Sequence, residues 1–185
     1  MRLAAVDIGS NAARLLITNV IEGIGHPPEF NKIDLIRVPL RLGFDVFETG
    51  VISEQRTNMI LETMKAYSHL LKAYDGDHLK ACATSAMRDA VNGREIIKKV
   101  KGETGIEIEI ISGDLEASII YETHVAENMS MNNSYLYIDV GGGSTELNLF
   151  AEGKLLFKRS FNIGTIRLLK NLVADKTWDE MKEYY

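Results

Sequence analysis

Two short stretches of this 185-residue chain set an aspartate beside a turn that contains glycine. VDIGSNAARLLI (6–17) lies over IDVGGGSTELNL (138–149) without a gap, matching Asp7 to Asp139, Gly9 to Gly141 and Leu15 to Leu147. In each, a strand-like run ends in the aspartate and a second strand-like run follows the turn. A linker role for Gly141-Gly142-Gly143 fits poorly, because glycine linkers have polar neighbours. The closing Gly-Lys-Ser/Thr of a P-loop is missing, and no helix follows as in a dinucleotide-binding loop. After Gly143, Thr145, Leu147 and Leu149 fall on one face, and Glu146, Asn148 and Phe150 on the other, which reads as a strand. Each stretch is therefore predicted to be a hairpin whose turn presents backbone N–H groups to an anion. Glycine would supply unusual φ values and close approach. Two such hairpins facing each other would grip two ends of a phosphate chain. Asp139 and Glu146 could hold a hard divalent cation beside it through oxygens and water, with Asp7 adding a carboxylate from the opposite jaw. Taken singly, Asp7 and Asp139 also fit turn capping, and Glu146 a solvated strand face; the matched pair of loops favours the site.

The elements that must position these residues can be read from periodicity. Residues 2–8, 14–21 and 31–40 read as strands, the third edge-like with Pro39 near its end. From Glu54 to Tyr74, Ile60, Met64, Tyr67, Leu71 and Tyr74 form one helical stripe, with Ser53 as N-cap. Strand 78–84, helix 93–101 and strand 106–111 follow, and Ser112-Gly113-Asp114 opens a helix reaching about Asn128. A polar joint at 129–134 precedes strands in YLYIDV, TELNLF and KLLFKRSF. A helix begins near Gly164 or Thr165, and another spans 177–185. The β-β-β-α order recurs, which predicts an internal duplication: one lobe over 1–128, and the start of a second over 134–185.

Composition narrows the function classes. An apolar share of 45% supports a real core, and a net charge of −5 argues against a nucleic-acid polymer or an anionic membrane as partner. Cys82 is the only cysteine, which excludes a disulfide framework and a cysteine-rich metal site; it is expected to be buried and inert. His26, His69, His78 and His124 lack zinc-like spacing. With no signal-peptide pattern and no apolar stretch of membrane-spanning length, the chain is expected to be soluble and cytoplasmic.

VDIGSNAARLL (6–16), ATSAMRDAVN (83–92), ISGDLEA (111–117) and DVGGGSTEL (139–147), in this order, resemble the exopolyphosphatase / guanosine-pentaphosphate phosphohydrolase family of the actin-like ATPase superfold. SFNIGTIRLL (160–169) adds a fifth stretch. The resemblance implies an α/β fold of ribonuclease-H-like mixed sheets flanked by helices, with an active cleft between two lobes. It implies hydrolysis of a terminal phosphoanhydride, in inorganic polyphosphate or guanosine pentaphosphate, with Mg²⁺. Glu116 matches the base that activates water, and Asp139 and Glu146 match metal-associated acids. Gly9, Ser10 and Asn11 match the first phosphate loop. Gly141, Gly142, Gly143, Ser144 and Thr145 match the second, and Arg88 a basic residue facing substrate phosphate. On residue type alone, Glu116 also suits a helix N-terminus and Arg88 a salt bridge with Asp89.

The chain departs from the family pattern at Ala12, where a serine is usual, and at Phe44, where an acid is frequent. The second lobe is shorter than the family's, so its exposed sheet edge is expected to be covered by another segment or a homodimer partner. Two alternatives remain: a non-catalytic polyphosphate- or alarmone-binding module, which would not need Glu116, and an actin-like small-molecule kinase, which would need an adenosine-binding segment further on.

Overall fold

The first three apolar runs form an antiparallel meander of β1 (Arg2–Ile8), β2 (Ala13–Gly23) and β3 (His26–Val38). The computed structural model describes residues 1–23, 25–120, 130, 132–152 and 154–183. β4 (His78–Ala83) pairs parallel to β1, and β5 (Ile108–Ile110) parallel to β4, giving one mixed sheet in the order β3-β2-β1-β4-β5. Between these strands lie α1 (Gly43–Thr49), α2 (Glu54–Ala73), α3 (Ser85–Asp89) and α4 (Gly93–Thr104). α5 (Gly113–Ile120) follows β5; the remainder of the helix expected to reach Asn128 lies outside the described residues.

Alternation on β1 and β2 sends Ala4, Val6, Ile8, Leu15 and Ile17 into one core with Ile60, Met64 and Tyr67 of α2 and Ile96 and Val100 of α4. Each fully buried aliphatic side chain there contributes about 1.5–3 kcal/mol. Tyr67 donates its hydroxyl to the Ala13 carbonyl at 3.1 Å, and burial pushes its pKa to about 12. Ser53 caps α2, its Oγ accepting from Arg56 N–H at 3.4 Å.

β3 begins before the expected position, at His26. Pro27 and Pro28 are tolerated because β3 is the sheet edge and the register shifts beside them. α1 and α3 carry no long periodic signal. They are set by packing: Ser85, Ala86 and Met87 of α3 are buried, and α1 ends on Gly50 at φ 77°, a left-handed cap.

β6 (Ser134–Val140), β7 (Thr145–Ala151) and β8 (Lys154–Phe161) form a second, antiparallel sheet, followed by α6 (Thr165–Leu169) and α7 (Asp175–Lys182). Leu147, Phe161, Ile163 and Met181 form its core. Leu136, Ile138 and Val140 of edge strand β6 are about half exposed. α5 follows the first sheet in sequence yet packs on β8, where Gly113 leaves no room for a Cβ against Ser160 and Lys158 Nζ donates to Ser118 at 2.6 Å. The joint between the sheets therefore carries Glu116 to the second hairpin. Among the described residues no helix is long and apolar enough to cross a membrane.

Candidate active site

The two hairpin turns close alike. Gly9 N–H donates to the Ala12 carbonyl at 3.0 Å, and Gly141 N–H to the Ser144 carbonyl at 2.9 Å. The carbonyls inside each turn already have protein donors. Those of Ser10 and Asn11 accept from Gly43 and Arg41 at 2.9 and 2.8 Å. Those of Gly141 and Gly142 accept from Thr165 and Ile166 at 3.0 and 2.9 Å, so the start of α6 fastens the second turn. Among the described residues, no protein acceptor takes the N–H of Ser10, Asn11, Gly142 or Gly143. Dipoles fixed in this sense favour an anion in the cleft.

The glycines serve this arrangement in one of the two ways expected, close approach, and not in the other, unusual φ. None of Gly9, Gly141, Gly142 or Gly143 has positive φ, so the second turn is not a left-handed nest. Close approach explains them. A Cβ on Gly143 would run into Ser85 Oγ and Phe47, one on Gly142 would lie 3.0 Å from Ser10 Cβ, and one on Gly164 would strike the Gly142 carbonyl. The second turn sits directly against the first hairpin and α3. Ser10 Oγ and Ser85 Oγ share a buried hydrogen bond of 2.8 Å, tying the first turn to α3.

A cleft of about 680 Å³ runs between the turns and along the open face of β1 and β4. It is lined by Asp7, Gly9, Ser10, Asn11, Glu116, Asp139, Gly141, Gly142, Ser144 and Glu146. Glu116 enters from the first turn of α5, where its N–H bonds the Ser112 carbonyl at 2.9 Å. Its Oε2 is buried and has no hydrogen-bond partner. Burial, reinforced by the charges of Glu146 and Asp7, pushes its pKa to about 7; Arg88 opposes this.

Glu146 is 2% exposed, and its Oε1 accepts from Ser160 Oγ at 2.7 Å. Burial raises its pKa, Ser160 and Ser144 counter that, and Asp139 raises it further. Asp7 is ion-paired to Arg14 at 3.1 Å; burial nevertheless raises its pKa, with a smaller push from Asp139. Among the described residues no three His, Cys, Asp or Glu side chains converge into a ready-made metal cage. A cation that keeps waters and shares substrate oxygens needs only one or two protein carboxylates, and the opposed Asp139 and Glu146 suit it.

Arg88, Gly143 and Thr145 stand outside the cleft lining. Arg88 donates to the carbonyl of Ile111, which does line the cleft, at 2.9 Å, and its charge reaches Glu116 and Glu146. Thr145 donates its hydroxyl to the Ile163 carbonyl, bracing the strand end. Sequence reasoning missed Arg14, Lys80, Ser85 and Thr165 on the cleft wall. Arg14 was detectable, since hairpin register puts it opposite Asp7. Cys82 also lines the cleft and is only partly buried, contrary to expectation; desolvation still raises its thiol pKa.

Comparison with known proteins adds an independent view. The family model described as "Ppx/GppA phosphatase family" matches residues 22–183. A bifunctional 3-dehydroquinate synthase/phosphatase of Fusobacterium nucleatum is 37% identical over 171 residues, covering 89% of this chain and 25% of that protein. A guanosine-5'-triphosphate,3'-diphosphate pyrophosphatase of Vibrio vulnificus is 27% identical over 173 residues, covering 94% of this chain and 34% of that protein. The crystal structure of an exopolyphosphatase from Cytophaga hutchinsonii superposes with a TM-score of 0.80 at 27% identity, covering all of this chain and 59% of that one. The chain spans between 25% and 53% of the length of the curated relatives it matches.

Proposed function

The chain belongs to the Ppx/GppA phosphatase family, and from that premise we propose that it supplies the catalytic cleft of a phosphoanhydride hydrolase. The substrates proposed are inorganic polyphosphate and guanosine pentaphosphate, attacked at a terminal phosphate. The observation that carries this reading is Glu116 Oε2, buried and without a hydrogen-bond partner, on a carboxylate that lines the cleft between two turns whose inner N–H groups have no protein acceptor.

Phosphoanhydride hydrolysis asks for a positioned water, in-line geometry and neutralisation of charge on the phosphoryl oxygens. Ser10, Asn11 and Gly142 offer their N–H groups to those oxygens without rearranging, since the carbonyls of Ser10, Asn11, Gly141 and Gly142 are already engaged by Gly43, Arg41, Thr165 and Ile166. Glu116 orients the water and takes its proton at Oε2. A pKa near 7 is suited to that task, because the base is both available and strong enough near neutral pH. Arg88, whose charge reaches Glu116, adds positive charge and planar donors. Asp139 and Glu146 would hold Mg²⁺, which when bound supplies charge neutralisation at the phosphoryl group.

The decisive measurement is phosphate release from polyphosphate, guanosine pentaphosphate and ATP, by the parent protein and by Glu116→Gln. The parent is expected to release phosphate from one of the first two in preference to ATP. The variant is expected to lose release by at least about 10²-fold while still binding the chain. A parent that binds phosphate chains and never hydrolyses them would leave a binding module instead.

A further inference from the structure

The side chain of Arg167, in α6, is 15% exposed, and its guanidinium makes three contacts. Nε donates to the Gly143 carbonyl at 2.8 Å, a terminal nitrogen binds Asp89 Oδ2, and the group stacks 4.0 Å from the Phe47 ring centroid. These three partners come from the second turn, the end of α3 and α1. Asp89 has a second arginine beside it: Arg88 Nε lies 3.9 Å from Oδ1, beyond hydrogen-bond length. Two arginines flank one carboxylate, and only Arg167 is bonded to it.

We propose that Arg167 is a positioning residue that occupies Asp89 so that Arg88 stays available to substrate phosphate, while pinning Gly143 of the second turn against the first hairpin. A bond between Arg88 and Asp89 would be charge-assisted, roughly twice as strong as the bond Arg88 now makes to the neutral Ile111 carbonyl. Hydrogen-bonded to that neutral carbonyl rather than to Asp89, Arg88 can exchange it for a phosphate oxygen. Without Arg167, Asp89 is left with Arg88 as its nearest cation, and the exchange becomes costly. The three contacts need a planar fork that can also stack, so lysine is a poor substitute. The proposal rests on the hydrolase reading only for what Arg88 does once free; the competition for Asp89 stands on geometry alone.

The test compares the parent, Arg167→Gln and Arg167→Gln/Asp89→Asn by two readouts. The first, free of substrate, is the NMR signal and hydrogen exchange of Arg88 Nε–H. The second is the affinity for inorganic tripolyphosphate with Mg²⁺. In Arg167→Gln, the Arg88 signal is expected to shift and its exchange to slow, with affinity falling about tenfold. Adding Asp89→Asn is expected to reverse both, an outcome that a purely structural role for Arg167 would not give. An unchanged Arg88 signal in Arg167→Gln, or a double variant no tighter than the single, overturns the proposal. Should Arg167→Gln fail to fold, Arg167→Met, which keeps an apolar side chain over Phe47, takes its place in both comparisons: the same shift, slowed exchange and loss of affinity are expected, and an unchanged Arg88 signal overturns the proposal. If the Arg88 signal responds as described but the parent binds no tripolyphosphate, the hydrolase reading fails and the competition for Asp89 stands.

Discussion

Asp139 lies directly opposite Glu146 across the β6–β7 ladder, so two carboxylates share one face at the mouth of the second turn. The first hairpin has Asp7 opposite Arg14 in the same two positions, a pair of opposite charge. Like charges directly opposite on a sheet are destabilising, and the raised pKa of Glu146 registers part of that strain through Asp139. The two hairpins thus share register and closing bond but differ in the charge opposite the aspartate. Such a pair gains most from a cation between its members. Mg²⁺ at about 100 times its dissociation constant is expected to stabilise the protein by about 2.7 kcal/mol, a rise in melting temperature of several degrees. Asp139→Asn or Glu146→Gln should remove most of that rise, as measured by calorimetry with and without EDTA.

Glu116 makes two pH-dependent predictions with opposite slopes. As a base it must be ionised, so hydrolysis should climb as pH rises through about 7 and level off above it. Its effect on stability runs the other way. A carboxyl whose pKa is higher folded than unfolded binds more protons in the folded state, so stability falls as pH rises from about 4.5 to about 7. Above that window the buried charge is fully unfavourable. Glu116→Gln should therefore melt above the metal-free parent at pH 8, by roughly 1–3 kcal/mol, and close to it at pH 4. Thermal melts at the two pH values check this, and equal differences at both would exclude it.

The glycines of the two turns should differ sharply in tolerance. An added methyl at Gly143 runs into Ser85 Oγ and lies 2.5 Å from Phe47 Cζ, whereas at Gly9 the nearest atom is 3.6 Å away. Gly143→Ala is expected to cost about 1–3 kcal/mol by overpacking and to weaken tripolyphosphate binding. Gly9→Ala should stay within about 0.5 kcal/mol of the parent. Chemical denaturation of the two variants tests the contrast, which would vanish if the glycines were needed for φ.

Much of this was legible in the sequence because hairpins and long helices announce themselves locally. The alternation after Gly143 gave β7, the stripe from Ile60 to Tyr67 gave α2, and the gapless match of 6–17 with 138–149 anticipated two turns with the same closing bond. α1 and α3 escaped, being too short to show a period and held by tertiary contacts. That the triple glycine answers to close approach and not also to φ was hidden for the same reason. Sequence shows that a residue lacks a side chain, but whether φ or a neighbour demands this depends on Ser85, Phe47 and Ser10, far away in the chain. Arg88 was singled out by the family resemblance; that Arg167 would bond the carboxylate next to it was not legible, because 78 residues separate Arg167 from Asp89.

Ser85 offers a last test of how the first turn is held. Its hydroxyl and that of Ser10 form a buried 2.8 Å bond between the turn and the helix that carries Arg88. Replacing one partner leaves the other buried without a partner, which costs about 1–3 kcal/mol; removing both takes away the unpaired group as well. Ser85→Ala and Ser10→Ala are each expected to lower stability by about 1–2 kcal/mol, and the double variant by little more than either alone. A double-mutant cycle by denaturant unfolding measures the coupling. Additive costs would show that the two hydroxyls act independently and that the turn is fastened by its carbonyl contacts to Arg41 and Gly43 instead.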